Sequence, residues 1–197
     1  AEGIDVLRRG CAQVQRRRDL VRIEQRDSRQ AILVAIDSPL APTELARRMS
    51  VGRPFEADAA CAAAQRASTP VLSASYFVPM GDGLGREVID LCLPRLYRGQ
   101  ATGFVVASFI LASWLEDIVP PGRGQSHELS FIESDGARLA RAGAPRGSGI
   151  YRVDRVVDLP GRSLQLRVDS SAGRPSVIPN VTVAMVLGLS LALLALA

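Results

Sequence analysis

Apolar runs with the spacing of β-strands, separated by short turns, dominate the middle of the chain. Three such runs occupy residues 69–79, 86–94 and 103–111, and the turns between them contain glycine. This arrangement is typical of an antiparallel meander. A short helix is predicted at 113–118, and the Pro120-Pro121 pair cannot continue it.

Two further pairs of strands are predicted after the meander. Residues 128–133 and 138–142 flank a tight Ser-Asp-Gly-Ala turn, and residues 151–158 and 163–169 flank a Pro-Gly turn. Strand 163–169 alternates apolar and polar residues, which indicates one buried and one solvated face. Strands grouped apart from helices predict an α+β fold.

The N-terminal part has the composition of a helix from residue 1 to about 36. Its apolar residues follow a three-and-four spacing that predicts a parallel homodimer through one helix face. The run 31–36 is continuously apolar, and we expect it to be buried. Shorter helices are predicted at 43–49 and 58–67. The residues of the proposed dimer face are Ile4, Leu7, Cys11 and Val14.

The C-terminal residues 177–197 contain no charged side chain and are mostly Val, Ala, Met, Leu and Gly. About 20 such residues match the thickness of a hydrocarbon core. A buried core helix is the alternative, but such helices usually keep a polar stripe. The segment therefore predicts a transmembrane helix in a piece of a longer protein.

Composition limits the classes of function. The net charge is +4 and every basic side chain is arginine. These arginines are dispersed among acids, so no continuous basic stripe for nucleic acid is present. Cys11, Cys61 and Cys92 are far apart and odd in number, and we expect thiols instead of a disulfide framework.

Catalysis is not indicated by any motif. His127 is the single histidine, so no multi-histidine metal site is expected, and no nucleophile elbow accompanies it. We expect no catalytic residue, no metal and no cofactor.

A binding role is better supported, on one face of the strand that begins at Glu87. Arg95 and Tyr97 end this apolar face and would suit a carboxylate, with Tyr76 adding a hydroxyl from the neighbouring strand and Arg86 in reserve. The alternative is a solvated Arg95 with both tyrosines as edge residues. Alternation places Arg86, Asp90 and Cys92 on the opposite face of the same strand.

At this point the chain resembles a family, the periplasmic sensor regions of bacterial membrane histidine kinases, most closely those similar to sensors of four-carbon dicarboxylates. The matching stretches are 70–79, 87–94, Gly99, 103–108, Leu115, Pro120, 132–140 and 157–164.

The resemblance implies a PAS-like (CACHE) antiparallel sheet with a long N-terminal helix and a C-terminal transmembrane helix. The domains would be 1–37 as a signalling and dimer helix, 38–172 as the sensor and 177–197 as the membrane helix. It implies a small organic acid, possibly a dicarboxylate, as ligand, a homodimer as partner state, and a periplasmic sensor anchored in the inner membrane. There are two alternatives to a histidine-kinase sensor. The chain could be the input domain of a chemoreceptor or of a cyclic-dinucleotide enzyme, or it could be a membrane-anchored interaction domain without a ligand.

Overall fold

The computed structural model describes residues 17–51, 55–81, 83–119, 126–173, 183–189 and 194. The strands within these ranges are β1 (Leu20–Asp27), β2 (Ile32–Asp37), β3 (Val71–Leu72), β4 (Tyr76–Pro79), β5 (Gly85–Tyr97), β6 (Gln100–Ile110), β7 (His127–Ile132), β8 (Arg138–Gly143), β9 (Arg152–Leu159) and β10 (Arg162–Ser170). The helices are α1 (Thr43–Val51), α2 (Phe55–Ala67) and α3 (Leu111–Ile118). Residues 183–189 are also helical. The predicted α+β class is confirmed.

The larger of two antiparallel sheets has the order β2-β1-β6-β5-β3, and β4 also pairs with β5. The predicted meander is confirmed in its pairing, because β3 and β4 pair with β5, which pairs in turn with β6. Its first predicted run, 69–79, is not one strand, since residues 73–75 separate β3 from β4. Arg98 and Gly99 connect β5 to β6 with positive φ angles of 52° and 78°. Such a two-residue turn matches the twist of the strands it joins.

The first hairpin corrects the prediction for the N-terminal part. β1 pairs with both β2 and β6, so the predicted helix is wrong for residues 20–36, while residues 1–16 lie outside the described residues. The decisive pattern is a period of two, because charged Arg22, Glu24 and Arg26 occupy every second position of β1.

The predicted burial of the apolar run 31–36 is also wrong. β2 is the edge strand, and Ile32, Leu33 and Val34 are 44%, 58% and 41% exposed. An apolar run alone does not distinguish an edge strand from a core strand, because only the sheet order decides what covers it.

Helices α1 and α2 cover one face of the large sheet. Leu45 of α1 packs with Val21, Val78 and Val88. The alanines of α2 let that helix lie close to β5 and β6, where it packs on Phe104 and Val106.

A disulfide joins α2 to β5, which corrects the prediction of free thiols. Cys61 and Cys92 are both fully buried and bonded, with Cα atoms 5.2 Å apart. They are separated by 31 residues in the chain, so only the packing of α2 on β5 brings them within the range that a disulfide requires. Cys11 lies outside the described residues.

The opposite face of the large sheet packs against α3 and the second sheet, whose order is β8-β7-β10-β9. Both predicted strand pairs after the meander are confirmed. Trp114 of α3 lies between Phe109 and Phe131, with ring centroids 5.8 and 6.0 Å away. These contacts seat the second sheet on the first.

Across the parts of the chain that the structure describes, no helix has both the length and the apolar character needed to cross a membrane. The predicted span 177–197 lies mostly outside those residues.

Candidate ligand-binding site

A row of buried charges runs along β1 on the face that α2 covers. Arg22, Glu24 and Arg26 are 7%, 6% and 2% exposed. Glu24 accepts hydrogen bonds from both arginines, at 2.8 Å from Arg22 Nε and 2.6 Å from Arg26 Nη2. Each arginine also forms an ion pair with a half-exposed carboxylate at an end of the row. Arg22 Nη1 lies 2.7 Å from Asp37 Oδ1, and Arg26 Nη1 lies 2.7 Å from Asp58 Oδ1 of α2. The pairing offsets part of the free-energy cost of burying the two guanidinium groups.

Asp90 continues this polar row across the sheet. Arg22 lies opposite Ser108 of β6, and Ser108 lies opposite Asp90 of β5, so all three share one face. Asp90 is 1% exposed, and its Oδ1 accepts a hydrogen bond of 2.5 Å from the Ser108 hydroxyl. Burial raises the pKa of Asp90 to about 6, with the hydrogen bond from Ser108 acting in the opposite direction. Asp90 is therefore mainly ionised at pH 7 although almost no water reaches it.

The second oxygen of Asp90 has no hydrogen-bond partner among the residues that the structure describes. Asp90 Oδ2 and the hydroxyl of Tyr76 are both buried and both unsatisfied. Tyr76 of β4 lies opposite Val88 of β5 and therefore on the same face of the sheet as Asp90. Its hydroxyl is close enough to favour the charged form of Asp90, but the two groups do not meet hydrogen-bond geometry. Burial, followed by the charge of Asp90, raises the pKa of Tyr76, so this hydroxyl keeps its proton.

An apolar groove of about 390 Å³ adjoins this unsatisfied pair. Its walls come from α2, from β3 with the connector that follows it, and from the β9–β10 turn. Glu56 is the only charged side chain among the described residues of the lining. The lining residues are Phe55, Glu56, Ala59, Ala60, Ala63, Val71, Leu72, Ser73, Ala74 and Gly161.

Ser73 connects the groove to Asp90. The Ser73 amide donates to Asp90 O at 2.8 Å, and the Asp90 amide donates to Ser73 Oγ at 2.9 Å. Asp90 and Tyr76 do not themselves line the groove, whereas Ser73 and Ala74 of the connector 73–75 do. Glu56 is near enough to Tyr76 to contribute to its raised pKa. The groove, Glu56 and the buried pair therefore form one contiguous region.

The structure separates the four residues predicted to bind a ligand. Tyr76 and Arg86 lie near the start of β5, where Tyr76 faces Val88 and Arg86 pairs with Val78. Arg95 lies opposite Gly103, seven residues beyond Val88 and therefore about 23 Å along the strand. Their ligand contacts stay predictions.

The far end of β5 differs from the buried pair in exposure and in neighbours. Tyr97 is 64% exposed and stacks under the guanidinium of Arg98, 5.4 Å from its ring centroid. Arg95 is half-buried, and its carbonyl accepts from the Thr102 hydroxyl at 3.1 Å. Tyr76 is thus the predicted residue that the structure places beside an unsatisfied buried partner.

Sequence reasoning overlooked Asp90 as a site residue. The available indication was a carboxylate in the middle of the apolar run 88–93, where an unpaired charge is costly. The groove itself gave no such indication, because its alanines and valine are common in any core.

No protein-family model matches the chain, and no curated protein matches it. Among solved structures, the chain is similar to the ligand-binding domain of the amino acid chemoreceptor PctC of Pseudomonas aeruginosa PAO1 in complex with GABA. That match has 14% identity and a TM-score of 0.45, and it covers 78% of this chain and 74% of the other. An extracellular ligand-binding receptor from Desulfohalobium retbaense matches at 16% identity and a TM-score of 0.48, over 76% of this chain and 30% of that one.

A third match is the ligand-binding domain of Mlp24 with asparagine. It has 15% identity and a TM-score of 0.36, and it covers 76% of this chain and 68% of the other. Identities and TM-scores this low identify neither the binding site nor the ligand of this chain.

The site is suited to a cation. Within the described cluster, four carboxylates (Glu24, Asp37, Asp58 and Asp90) accompany two guanidinium groups (Arg22 and Arg26). Among its described lining residues, the groove adds a fifth carboxylate and no cationic side chain. A group with several N–H donors would satisfy Asp90 Oδ2, and the apolar walls would hold an attached hydrocarbon.

Proposed function

We propose that this chain is the extracytoplasmic ligand-sensing domain of a bacterial membrane signalling protein, and that it binds a small organic cation with a primary ammonium group. The observation that carries the proposal is the unsatisfied Oδ2 of Asp90 beside the unsatisfied hydroxyl of Tyr76.

An ammonium ligand would supply the hydrogen-bond donor that Asp90 Oδ2 lacks. A buried carboxylate oxygen without a donor is unfavourable, and an ammonium supplies three donors and the opposite charge. Glu56 would receive the cation at the groove, and Asp90 with Tyr76 would bind it after the connector 73–75 shifts. The proposed ligand class therefore differs from the organic acid that the resemblance implies, since an anion would meet Glu56 and Asp90 and, among the described lining residues, no cationic side chain.

The disulfide supports the compartment. A bond such as Cys61–Cys92 forms and persists in oxidising environments such as the periplasm, whereas cytosolic thiols are kept reduced. The uncharged segment 177–197 supports a membrane anchor directly after the sensor. We therefore place the domain in the periplasm, anchored to the inner membrane.

Labelling tests this placement. A cysteine introduced in the loop 143–149 should react with a membrane-impermeant maleimide in intact spheroplasts. Labelling that occurs only after lysis would exclude the periplasmic location.

The output and the assembly follow the resemblance. A histidine kinase is the first choice for the output, with a chemoreceptor or a cyclic-dinucleotide enzyme as alternatives, and the residues that follow the sensor in the whole protein decide between them. A parallel homodimer through the face of Cys11 remains a proposal. Disulfide crosslinking at Cys11 in the membrane-embedded protein tests it, and absence of a crosslink there and one helical turn to either side counts against this interface.

Calorimetry with a matched series of ligands tests the ligand class. The series is 2-phenylethylamine, 2-phenylethanol and phenylacetate, which share one skeleton and carry a positive, no and a negative charge. GABA, asparagine and succinate extend it to zwitterions and a dicarboxylate. We expect 2-phenylethylamine to bind, and we expect no binding of 2-phenylethanol, phenylacetate or succinate.

Variants assign the site. Asp90→Asn should weaken binding of the cation by about 10- to 100-fold, because a charge-assisted hydrogen bond contributes roughly 1.5–3 kcal/mol. Tyr76→Phe should weaken it less, since only a neutral hydroxyl is lost. Arg95→Ala is the matched test of the organic-acid alternative. Binding of succinate that Arg95→Ala abolishes and Asp90→Asn leaves intact would replace our proposal with the anionic site.

A further inference from the structure

The turn between β9 and β10 reaches from the second sheet to the groove on the first. Leu72 donates its amide to Pro160 O at 2.8 Å, and Gly161 forms part of the groove lining. Gly161 has a φ of +76°, and a Cβ there would lie 2.7 Å from Cγ1 of Val71. The turn therefore lies in direct contact with β3, closer than a side chain at Gly161 would permit.

Arg162 fixes this turn to the connector that separates the groove from Asp90. Its Nη1 donates to the Ser73 carbonyl at 2.8 Å, and its Nη2 pairs with Glu133 after β7. The guanidinium is partly buried, at 20% exposure, and is held by two partners in different segments. Ser73 in turn exchanges two hydrogen bonds with the backbone of Asp90. One cation thus connects the start of β10 to the residue that hydrogen-bonds the backbone of Asp90.

We propose that Arg162 is a positioning residue, which holds Ser73 against Asp90 and transmits a shift of the connector 73–75 to β10. This inference rests on the proposed ammonium site, because the shift is the one that lets a cation reach Asp90. β10 runs from Arg162 to Ser170, about 26 Å of strand, and leads toward the apolar segment 177–197. A displacement at the groove is thereby carried to the chain that enters the C-terminal segment.

Two variants of the 197-residue chain separate the two bonds of Arg162. Glu133→Gln removes the ion pair and leaves the hydrogen bond to the Ser73 carbonyl. The double exchange Arg162→Glu with Glu133→Arg restores an ion pair but removes the donor to that carbonyl. Arg162→Lys keeps a donor and serves as the conservative rescue.

The first measurement needs no ligand. Hydrogen exchange of the Ser73 and Asp90 amides, followed by NMR, should accelerate by about fivefold or more in the double exchange, the factor expected for one lost hydrogen bond. Glu133→Gln and Arg162→Lys should stay near the wild-type rates, and so should amides in β1 and β6. Unchanged rates in the double exchange, or equal acceleration in Glu133→Gln, would overturn the positioning role.

The second measurement adds 2-phenylethylamine. In the wild type, the amine should accelerate exchange at Ser73, because the shift of the connector 73–75 breaks the hydrogen bond of its amide to the Asp90 carbonyl. It should also change exchange along β10, while in the double exchange only the effect at Ser73 should remain. An effect at Ser73 without any along β10 in the wild type, or one along β10 that survives the double exchange, would overturn the coupling. No effect at Ser73 in the wild type would count against the ammonium site instead, and the unliganded rates would still decide the role of Arg162.

Discussion

Replacing Asp90 by asparagine should stabilise the unliganded protein at neutral pH. The carboxylate is 1% exposed and has one unsatisfied oxygen, so its charged form is disfavoured by the fold. An asparagine of the same shape keeps the acceptor for Ser108, and its amide offers a donor toward the Tyr76 oxygen. The change therefore removes a buried charge without opening a cavity.

The pKa of Asp90 gives the size of this effect and its dependence on pH. Burial raises the pKa from 3.8 to about 6 in the folded protein. A difference of about 2 units corresponds to about 3 kcal/mol. Because the folded pKa is the higher one, the folded state retains the proton more strongly, and the wild type loses stability as pH rises from about 4 to about 6. The advantage of Asp90→Asn should thus be near zero at pH 4 and about 3 kcal/mol at pH 7.

Urea unfolding of both proteins at pH 4, 5, 6 and 7 measures the difference. In thermal unfolding the same effect should appear at pH 7 as an increase in Tm of about 6–12 °C, given about 2–4 °C per kcal/mol for a chain of this size. Ser108→Ala is the matched control, since it removes a donor that lowers the pKa of Asp90 and should extend the loss of stability to higher pH. A variant that is equally or less stable at pH 7, or an advantage that does not vary with pH, would refute the reasoning.

Three further predictions concern the charge of Asp90, the disulfide and the close contact between β1 and β6. Affinity for 2-phenylethylamine should fall as pH drops through about 6, where Asp90 becomes protonated while the amine stays charged, and calorimetry from pH 5 to 8 should show no such fall in Asp90→Asn. Replacing Cys61 and Cys92 together by alanine should lower the free energy of unfolding by about 2–4 kcal/mol in urea, and reductant should have little effect on that variant. Gly103→Ala should lower it by about 1–3 kcal/mol, because a Cβ there would lie 2.6 Å from the Arg26 carbonyl, and an unchanged urea midpoint would show that β1 and β6 can separate at no cost.

Local pattern was sufficient for the strands after residue 69. Their apolar alternation and the Gly-containing turns at Gly99, Gly136 and Gly161 are short-range features, and most strands and turns lie where those features predict them. The exception is the run 69–79, which residues 73–75 divide into β3 and β4. The short helix Leu111–Ile118 was equally predictable, because the following prolines limit it from one side.

The N-terminal hairpin was not predictable from composition. Residues 20–27 are rich in residues that favour helices, yet they form a strand, since pairing with β6 and the burial of every second side chain outweigh intrinsic propensity. The same pairing places Arg22, Glu24 and Arg26 in one buried row. Only the sheet order shows that this row lies on the face that the helices cover.

The sequence by itself determined the strand-rich character of the sensor region, the uncharged C-terminal segment and the absence of a catalytic motif. Tertiary structure decided the site. The bond between Cys61 and Cys92 and the approach of Arg162 to Ser73 join residues from distant parts of the chain. Tyr76 and Asp90 lie on neighbouring strands, and the packing of the large sheet buries them together. Local patterns report which face a residue occupies, whereas the partner it meets on that face depends on how the sheets and helices pack.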